Sequence, residues 1–301
     1  MIYSKEIFYK QGIGQTNEDR YVYNDESLFF SVIDGATPLE KGSISGSFAA
    51  DIVQKTLSNS KEQNVFERLK EANLVLGKKI SSTLNKNIET IDNLSKELRS
   101  SCGCIAVQII VEKGSIIRLD YAHVGDCMLF VQYDNGRIRQ LTFDHIEKLD
   151  QESINIATEF RKKWIKQNNF EEYISAEDLE ILNRKVKEHI KTVLIKNRRK
   201  LNSKEGYGII DGSEKANYFI EYGSIPFHNI KKLLLLSDGL QIPLPIEKNE
   251  QAWNITAEYA FQNSLYSLGD YVEMIEEKDP NLTKYPRLKK ADDKTGILIS
   301  F

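Results

Sequence analysis

The chain has 301 residues, 41% of them hydrophobic, enough for one large core or two small ones. Its net charge of −3 excludes the global basic field of a nucleic-acid binder. Three cysteines, Cys102, Cys104 and Cys127, are too few and too unevenly spaced for a disulfide framework, which fits a reducing, cytoplasmic setting.

At the N-terminus, "MIYSKEIFYK" has no apolar signal core. No apolar run approaches the roughly 20 residues that cross a bilayer. "RYVYNDESLFFSVID" reads as a β-hairpin turning over Asn24 to Ser27. With Glu26 and Ser27 at its tip, Tyr23 faces Phe30, Tyr21 faces Val32, and Asp19 faces Asp34. "SGSFAADIVQKTL" follows as a helix. Residues 63–99 carry Phe66, Leu69, Leu76, Ile80, Leu84, Ile88, Ile91, Leu94 and Leu98 at helical spacing. They predict two helices, or one long helix broken near Gly77.

From Cys104 to His145 the pattern changes to short strands. Turn signals fall at Lys113-Gly114, Gly125-Asp126 and Asn135-Gly136, and strands this close together pair as antiparallel hairpins. Residues 146–204 are charged and helical in pattern. Strands return at "YGIID", "NYFIEYG" and "KKLLLLSDG". Two helices fill 247–278, and "KTGILISF" closes the chain as a strand. No regular βαβ alternation is present, so the fold class is α+β with antiparallel sheets, in a single domain over 1–301.

Carboxylates recur at the strand tips. Asp19 opposite Asp34 would repel unless a cation offsets the pair, and hard oxygen ligands suit Mg²⁺ or Mn²⁺. "LLLLSDG" ends in Asp238-Gly239 as "SVIDGA" ends in Asp34-Gly35. If "LLLLSD" and "KTGILIS" lie antiparallel, Asp238 shares a sheet edge with Asp292 or Asp293. Asp126 occupies the turn in "AHVGDCMLF". Each Asp alone reads as a turn residue; together they point to a multi-carboxylate metal site.

The ordered set "NEDRY", "SVIDGA", "AHVGDCMLF…GRIRQLTFDH", "LLLLSDG" and "ADDKTGILIS" resembles the metal-dependent, type-2C Ser/Thr protein phosphatases over nearly the whole chain. The resemblance implies a four-layer αββα sandwich: two mainly antiparallel sheets flanked by helices, with two Mg²⁺ or Mn²⁺ ions at one end. It implies that Asp34 bridges the ions, with the Gly35 carbonyl beside it. Asp238 and Asp292 would hold one ion, Asp292 being three residues before Thr295. Glu18 and Asp19 would hold the other, mostly through water, and Asp126 would help bind a weaker third. The implied reaction is hydrolysis of phosphoserine and phosphothreonine in proteins by a metal-activated water, with no side-chain nucleophile.

The sequence departs from that family at several places. Gly14 stands where members carry a phosphate-binding Arg. Ala36 stands where animal-type members carry a His able to act as general acid. Ile242 stands at a further third-metal position, and "DGATPLE" lacks the usual glycines. Residues 146–222 replace the family's flap, which points to a private substrate or partner. Lys191, Lys196, Arg198, Arg199, Lys200 and Lys204 form a basic run that reads first as a solvated helix face and second as a dock for an acidic or phosphorylated partner. These departures keep two alternatives open: a phosphatase-like binding module with little activity, and a phosphatase for a small phosphorylated metabolite.

Other candidates read as structural. His145 closes the strand region, with a supporting role near the metals as its second reading. His123 alternates with Tyr121 and Leu119 and reads as a sheet-face histidine. His189 reads as solvated, and Cys127 as a small buried hydrophobe. Cys102-Gly-Cys104 lacks the second ligand pair of a zinc knuckle.

Overall fold

The computed structural model describes residues 3–39, 43–84, 91–170 and 173–301. In chain order its elements are β1 (Ser4–Lys10), β2 (Arg20–Asn24), β3 (Phe29–Gly35), α1 (Gly46–Asn59), α2 (Val65–Thr83), β4 (Cys102–Glu112), β5 (Ser115–Val124), β6 (Met128–Tyr133) and β7 (Ile138–Gln140). There follow α3 (Glu147–Gln167), α4 (Ala176–Arg198), β8 (Glu221–Pro226), β9 (Ile230–Leu236), α5 (Ala252–Gln262), α6 (Leu265–Lys278) and β10 (Lys294–Ser300). The strands form two antiparallel five-stranded sheets, ordered β1-β10-β9-β6-β7 and β2-β3-β4-β5-β8.

Alternation along the strands builds the layers. Phe30, Val32, Leu233, Leu235, Ile297 and Ile299 face inward and pack the two sheets together. Their neighbours face outward: Ile33 packs under α1 and α2, with Val53, Leu69 and Leu76, while Leu234 and Leu236 pack under α5 and α6, with Ala257, Leu268 and Val272. Both faces of β3 and β9 are therefore covered, which explains why "LLLL" is continuously apolar, and "LFFSVI" nearly so, rather than alternating. Each buried Leu there contributes about 1.5–3 kcal/mol relative to exposure. The expected αββα sandwich is the observed architecture.

The hairpin register follows the expectation, with Tyr21 opposite Val32 and Tyr23 opposite Phe30. β9 and β10 are antiparallel, Gly296 opposite Leu236. α3 and α4 pack on each other through a small core of Ala157, Leu182, Val186 and Ile190.

Four expectations need correction. α2 runs through Gly77 without a break. A Cβ there would lie 2.4 Å from Gly212 O, so this glycine serves close packing against the 207–213 segment. The helical pattern does not continue past Leu84: Ile91–Asn93 and Lys96–Leu98 are single 3₁₀ turns, and Ile88 lies outside the described residues. The Gly125-Asp126 turn is not a hairpin, because β5 and β6 belong to different sheets. "YGIID" contributes only isolated bridges at Tyr207 and Ile210, and "NYF" ends a 3₁₀ turn, so the strand begins at Glu221.

Candidate metal centre

The strand register determines which carboxylates meet. Asp34, at the end of β3, is paired across the ladder with Gly103 of β4. A Cβ on Gly103 would project to the same face as the Asp34 side chain, and it would lie 2.8 Å from Asp126 Oδ1. The missing side chain thus admits the Asp126 carboxylate beside Asp34. The crossover of Gly125-Asp126 from one sheet to the other is what carries Asp126 there.

On the opposite sheet, Ser237 N–H donates to Thr295 O at 2.9 Å, so the end of β9 lies against the start of β10. Asp238 and Asp292 follow from that pairing. Ser237 Oγ donates to Asp19 Oδ2 at 2.8 Å and accepts from Thr295 N at 3.0 Å, binding the two sheets at this edge. Asp19 is 1% exposed. Asp34, Asp126, Asp238 and Asp292 are half-buried along a cleft of about 550 Å³.

The electrostatics are those of an excess of carboxylates. Burial raises Asp34 well above the usual range, and Asp19, Asp238 and Asp126 add repulsion. Burial also raises Asp126, with Asp238 and Asp144 adding to it. Burial raises Asp238, with Asp292 next. Asp19 is raised by burial against the pull of the hydrogen bond it accepts from Ser237. Hard, mutually repelling oxygens of this kind suit a divalent cation.

Asp292 and Asp293 part ways. Asp293 is buried, its Oδ1 accepting from Gly12 N–H at 2.7 Å and its Oδ2 from Glu18 N–H at 2.6 Å. Both of its oxygens are spent on the backbone. Asp292 faces the cleft, where its Oδ1 accepts from Lys289 Nζ at 2.7 Å.

Glu18 is employed differently from what the resemblance implies. Its Oε1 accepts from Gly46 N–H at 2.9 Å, at the start of α1, and its Oε2 accepts from Thr37 Oγ1 at 2.8 Å. A carboxylate at a helix N-terminus is well placed against the exposed N–H groups. Glu18 therefore anchors the helix that backs Asp34 and Gly35.

Two cleft residues escape sequence reasoning because α3 and the 279–292 loop meet the carboxylates only in three dimensions. Asp150, in the first turn of α3, lines the cleft and is pushed to about 8 by burial, with Asp238 and Asp144 next. Lys289 lines it too. Burial alone would lower Lys289, but Asp292, Asp238 and Asp34 outweigh that, and the net direction is up. Ile242, at the position of the absent carboxylate, is 1% exposed and packs in the core with Trp253.

The basic run divides. Arg198 is buried, donating from Nη1 to Ser101 Oγ at 2.8 Å and from Nη2 to Thr37 O at 2.9 Å. It is neither a solvated face nor a docking group, since it ties α4 to the segment after Asp34. Arg199 pairs with Glu97. Lys196 and Lys204 are exposed. His189 is exposed and stacks on Phe160, and Cys127 is buried, both close to expectation.

No helix among the described residues is long and apolar enough to cross a membrane. A family profile described as "Protein phosphatase 2C" matches residues 10–276. No curated protein matches the chain significantly in sequence. Among solved structures, the catalytic domain of the serine threonine protein phosphatase PstP, in complex with two manganese ions, is 14% identical with a TM-score of 0.54, covering 99% of this chain and 97% of its own. Serine/threonine phosphatase Stp1 from Staphylococcus aureus is 16% identical with a TM-score of 0.51, covering 100% and 96%. The Ser-Thr phosphatase MsPP from Mycobacterium smegmatis, in complex with cacodylate, is 16% identical with a TM-score of 0.50, covering 99% and 97%. These likenesses speak to the fold.

Proposed function

The chain belongs to the protein phosphatase 2C family, the metal-dependent Ser/Thr protein phosphatases, and from that premise we propose that it hydrolyses phosphoserine and phosphothreonine monoesters of proteins at the carboxylate-lined cleft. The observation that carries this reading is that Asp34, Asp126, Asp238 and Asp292, from four separate strand ends, line one cleft and raise one another's carboxyls. We take 1–301 as one catalytic unit, cytoplasmic, with 146–222 as its variable wall.

Asp34, Asp238 and Asp292 would hold Mg²⁺ or Mn²⁺, with the Gly35 carbonyl and Asp19 completing a pair and Asp126 serving a third. When bound, the metals lower the pKa of a water and neutralise the phosphoryl oxygens. The chain's own residues then do three things. Ser237 and Arg198 hold the strand ends in place. Lys289, the exposed cation at the rim, supplies the positive charge for phosphate that Gly14 cannot. The carboxyl of Asp150, raised by burial at the cleft, stands as the proton donor to the leaving Ser or Thr oxygen in place of the histidine replaced by Ala36.

The wall of the cleft is built by α3 and α4, through Ile154, Val186, Ile190 and Leu194. A phosphopeptide lying along it would bury its flanking residues there, remote from the phosphate, and so recover binding energy. Hydrolysis of p-nitrophenyl phosphate and of a phosphothreonine peptide, each with Mn²⁺ and with a chelator, tests the proposal. Turnover of both that vanishes with the chelator is expected. No turnover with Mn²⁺ would leave the binding-module reading, which the Lys289–Asp292 pair favours because it occupies a ligand.

A further inference from the structure

A second group of metal-binding side chains lies behind the Gly125-Asp126 turn, outside the carboxylate cleft. His123 of β5 and Glu221 of β8 are direct register partners and project from the same face. His145 is delivered by the loop after β7, where its N–H donates to Gly125 O at 3.0 Å. Glu221 Oε2 lies 3.7 Å from His123 Nδ1 and 3.9 Å from His145 Nε2. One donor atom from each residue lies within 4.8 Å of the others, and no other such trio occurs among the described residues.

These separations are too long for hydrogen bonds. They are close to what a metal needs: two ligands about 2.0–2.1 Å from a tetrahedral ion stand roughly 3.3 Å apart. Glu221 would close on each histidine by only about half an ångström. His123 is 0% exposed, and neither of its ring nitrogens has a hydrogen-bond partner. Buried polar groups without partners are rare and costly, so a missing partner is the natural reading.

We propose that His123, His145 and Glu221 bind one borderline transition dication, Zn²⁺ foremost, with water in the fourth position. Two imidazoles and a carboxylate suit zinc, whereas Mg²⁺ prefers an all-oxygen shell. The His145 and Glu221 side chains are 18% and 35% exposed, which leaves an entry path. The position explains the purpose. His145 stands just before α3 and Glu221 opens β8, so the two ligands bracket the segment that forms the cleft wall. The ion staples both ends of that segment to β5, and it holds the wall in place beside Asp34 and Asp126.

Co²⁺ titrated into the full chain in excess Mg²⁺ tests this. A tetrahedral site absorbs strongly in the visible, whereas a six-coordinate oxygen site absorbs weakly. We expect strong bands that saturate at one Co²⁺ per chain. His145→Gln and Glu221→Gln, both at partly exposed positions, should each weaken that binding by at least the 10–100-fold typical of losing a mere supporting partner. Asp238→Asn should keep the bands. Zn²⁺ should raise the Tm of the wild-type chain and not that of Glu221→Gln. Absent bands, bands unchanged in His145→Gln and Glu221→Gln, or bands lost in Asp238→Asn would each overturn the proposal.

Discussion

Lys289 Nζ donates to Asp292 Oδ1 at 2.7 Å, which places a protein cation among the carboxylates of the cleft. Metal entry must displace that ammonium or share Asp292 with it. The pair is part-exposed, so its worth is about 0.2–1 kcal/mol. Lys289→Gln should therefore tighten Mn²⁺ binding about two- to fivefold, measured by isothermal titration calorimetry. Weaker binding would show that Lys289 instead holds Asp292 in its ligating pose.

Asp34→Asn should lose turnover while keeping the fold. Asn retains the size and turn preference of Asp, and relief of carboxylate repulsion favours the folded chain. The loss of metal charge stabilisation is worth several kcal/mol, so kcat should fall by more than about a hundredfold. Wild-type kcat in a folded Asp34→Asn chain would refute the ligand assignment.

Neighbouring residues 292 and 293 should separate activity from stability. Asp293→Ala strips two backbone N–H groups of a charged partner, each bond worth about 1.5–3 kcal/mol, so Tm should drop clearly. The folded fraction should keep most of its activity. Asp292→Ala should leave Tm nearly unchanged and remove most activity. The opposite pattern would shift the last ligand by one position.

Asp150→Asn distinguishes leaving groups. A serine alkoxide needs a proton as it departs, whereas p-nitrophenolate does not. Loss of the proton donor should cost about 10²-fold or more in kcat on a phosphoserine peptide and little on p-nitrophenyl phosphate. An equal loss on both substrates would make Asp150 a metal-supporting residue.

The metal-free protein should lose stability as pH rises. A carboxyl whose folded value is raised contributes stability that is full below its unfolded value and lost as pH climbs through the folded one. For Asp150 that window runs from about 3.8 to about 8. Burial lowers His123, which costs stability only below its unfolded value near 6.5. Between pH 6.5 and 8, then, Tm of the chelated protein should fall, and Mg²⁺ should restore more at pH 8, where the ligands have shed their protons. A chelated Tm that rose over this range would contradict the buried-carboxylate account.

Local chemistry made much of this molecule legible in one dimension. Period-two alternation and turn residues placed the 20–35 hairpin in its register, and the apolar runs at 29–33 and 233–236 read as strands, which the structure covers on both sides. Two adjacent aspartates that look alike in sequence were told apart only by the family resemblance, and Asp293 spends both carboxylate oxygens on backbone N–H groups. Helical periodicity located α1, α3 and α4 because each carries an apolar stripe of its own. The same periodicity misled at 91–98, where the apolar residues belong to 3₁₀ turns and pack in the core beside α2. Gly77 misled as well, because a glycine that permits contact with Gly212 looks in sequence like one that breaks a helix.

What the sequence determined alone was the set of strand-tip carboxylates and the layered α+β class, since both depend on periodicity and on neighbours close along the chain. Only the tertiary structure decided which side chains stand together across long separations. Gly103 admits Asp126 to Asp34 because β5 and β6 part into different sheets. Asp150 and Lys289 enter the cleft because α3 and the 279–292 loop fold over it. Arg198 is buried against Thr37 and Ser101, although its sequence neighbours mark a solvated basic run. His123, His145 and Glu221 meet only because β8 pairs with β5. Contacts of this kind depend on how closed loops bring distant segments together, and that leaves no periodic trace along the chain.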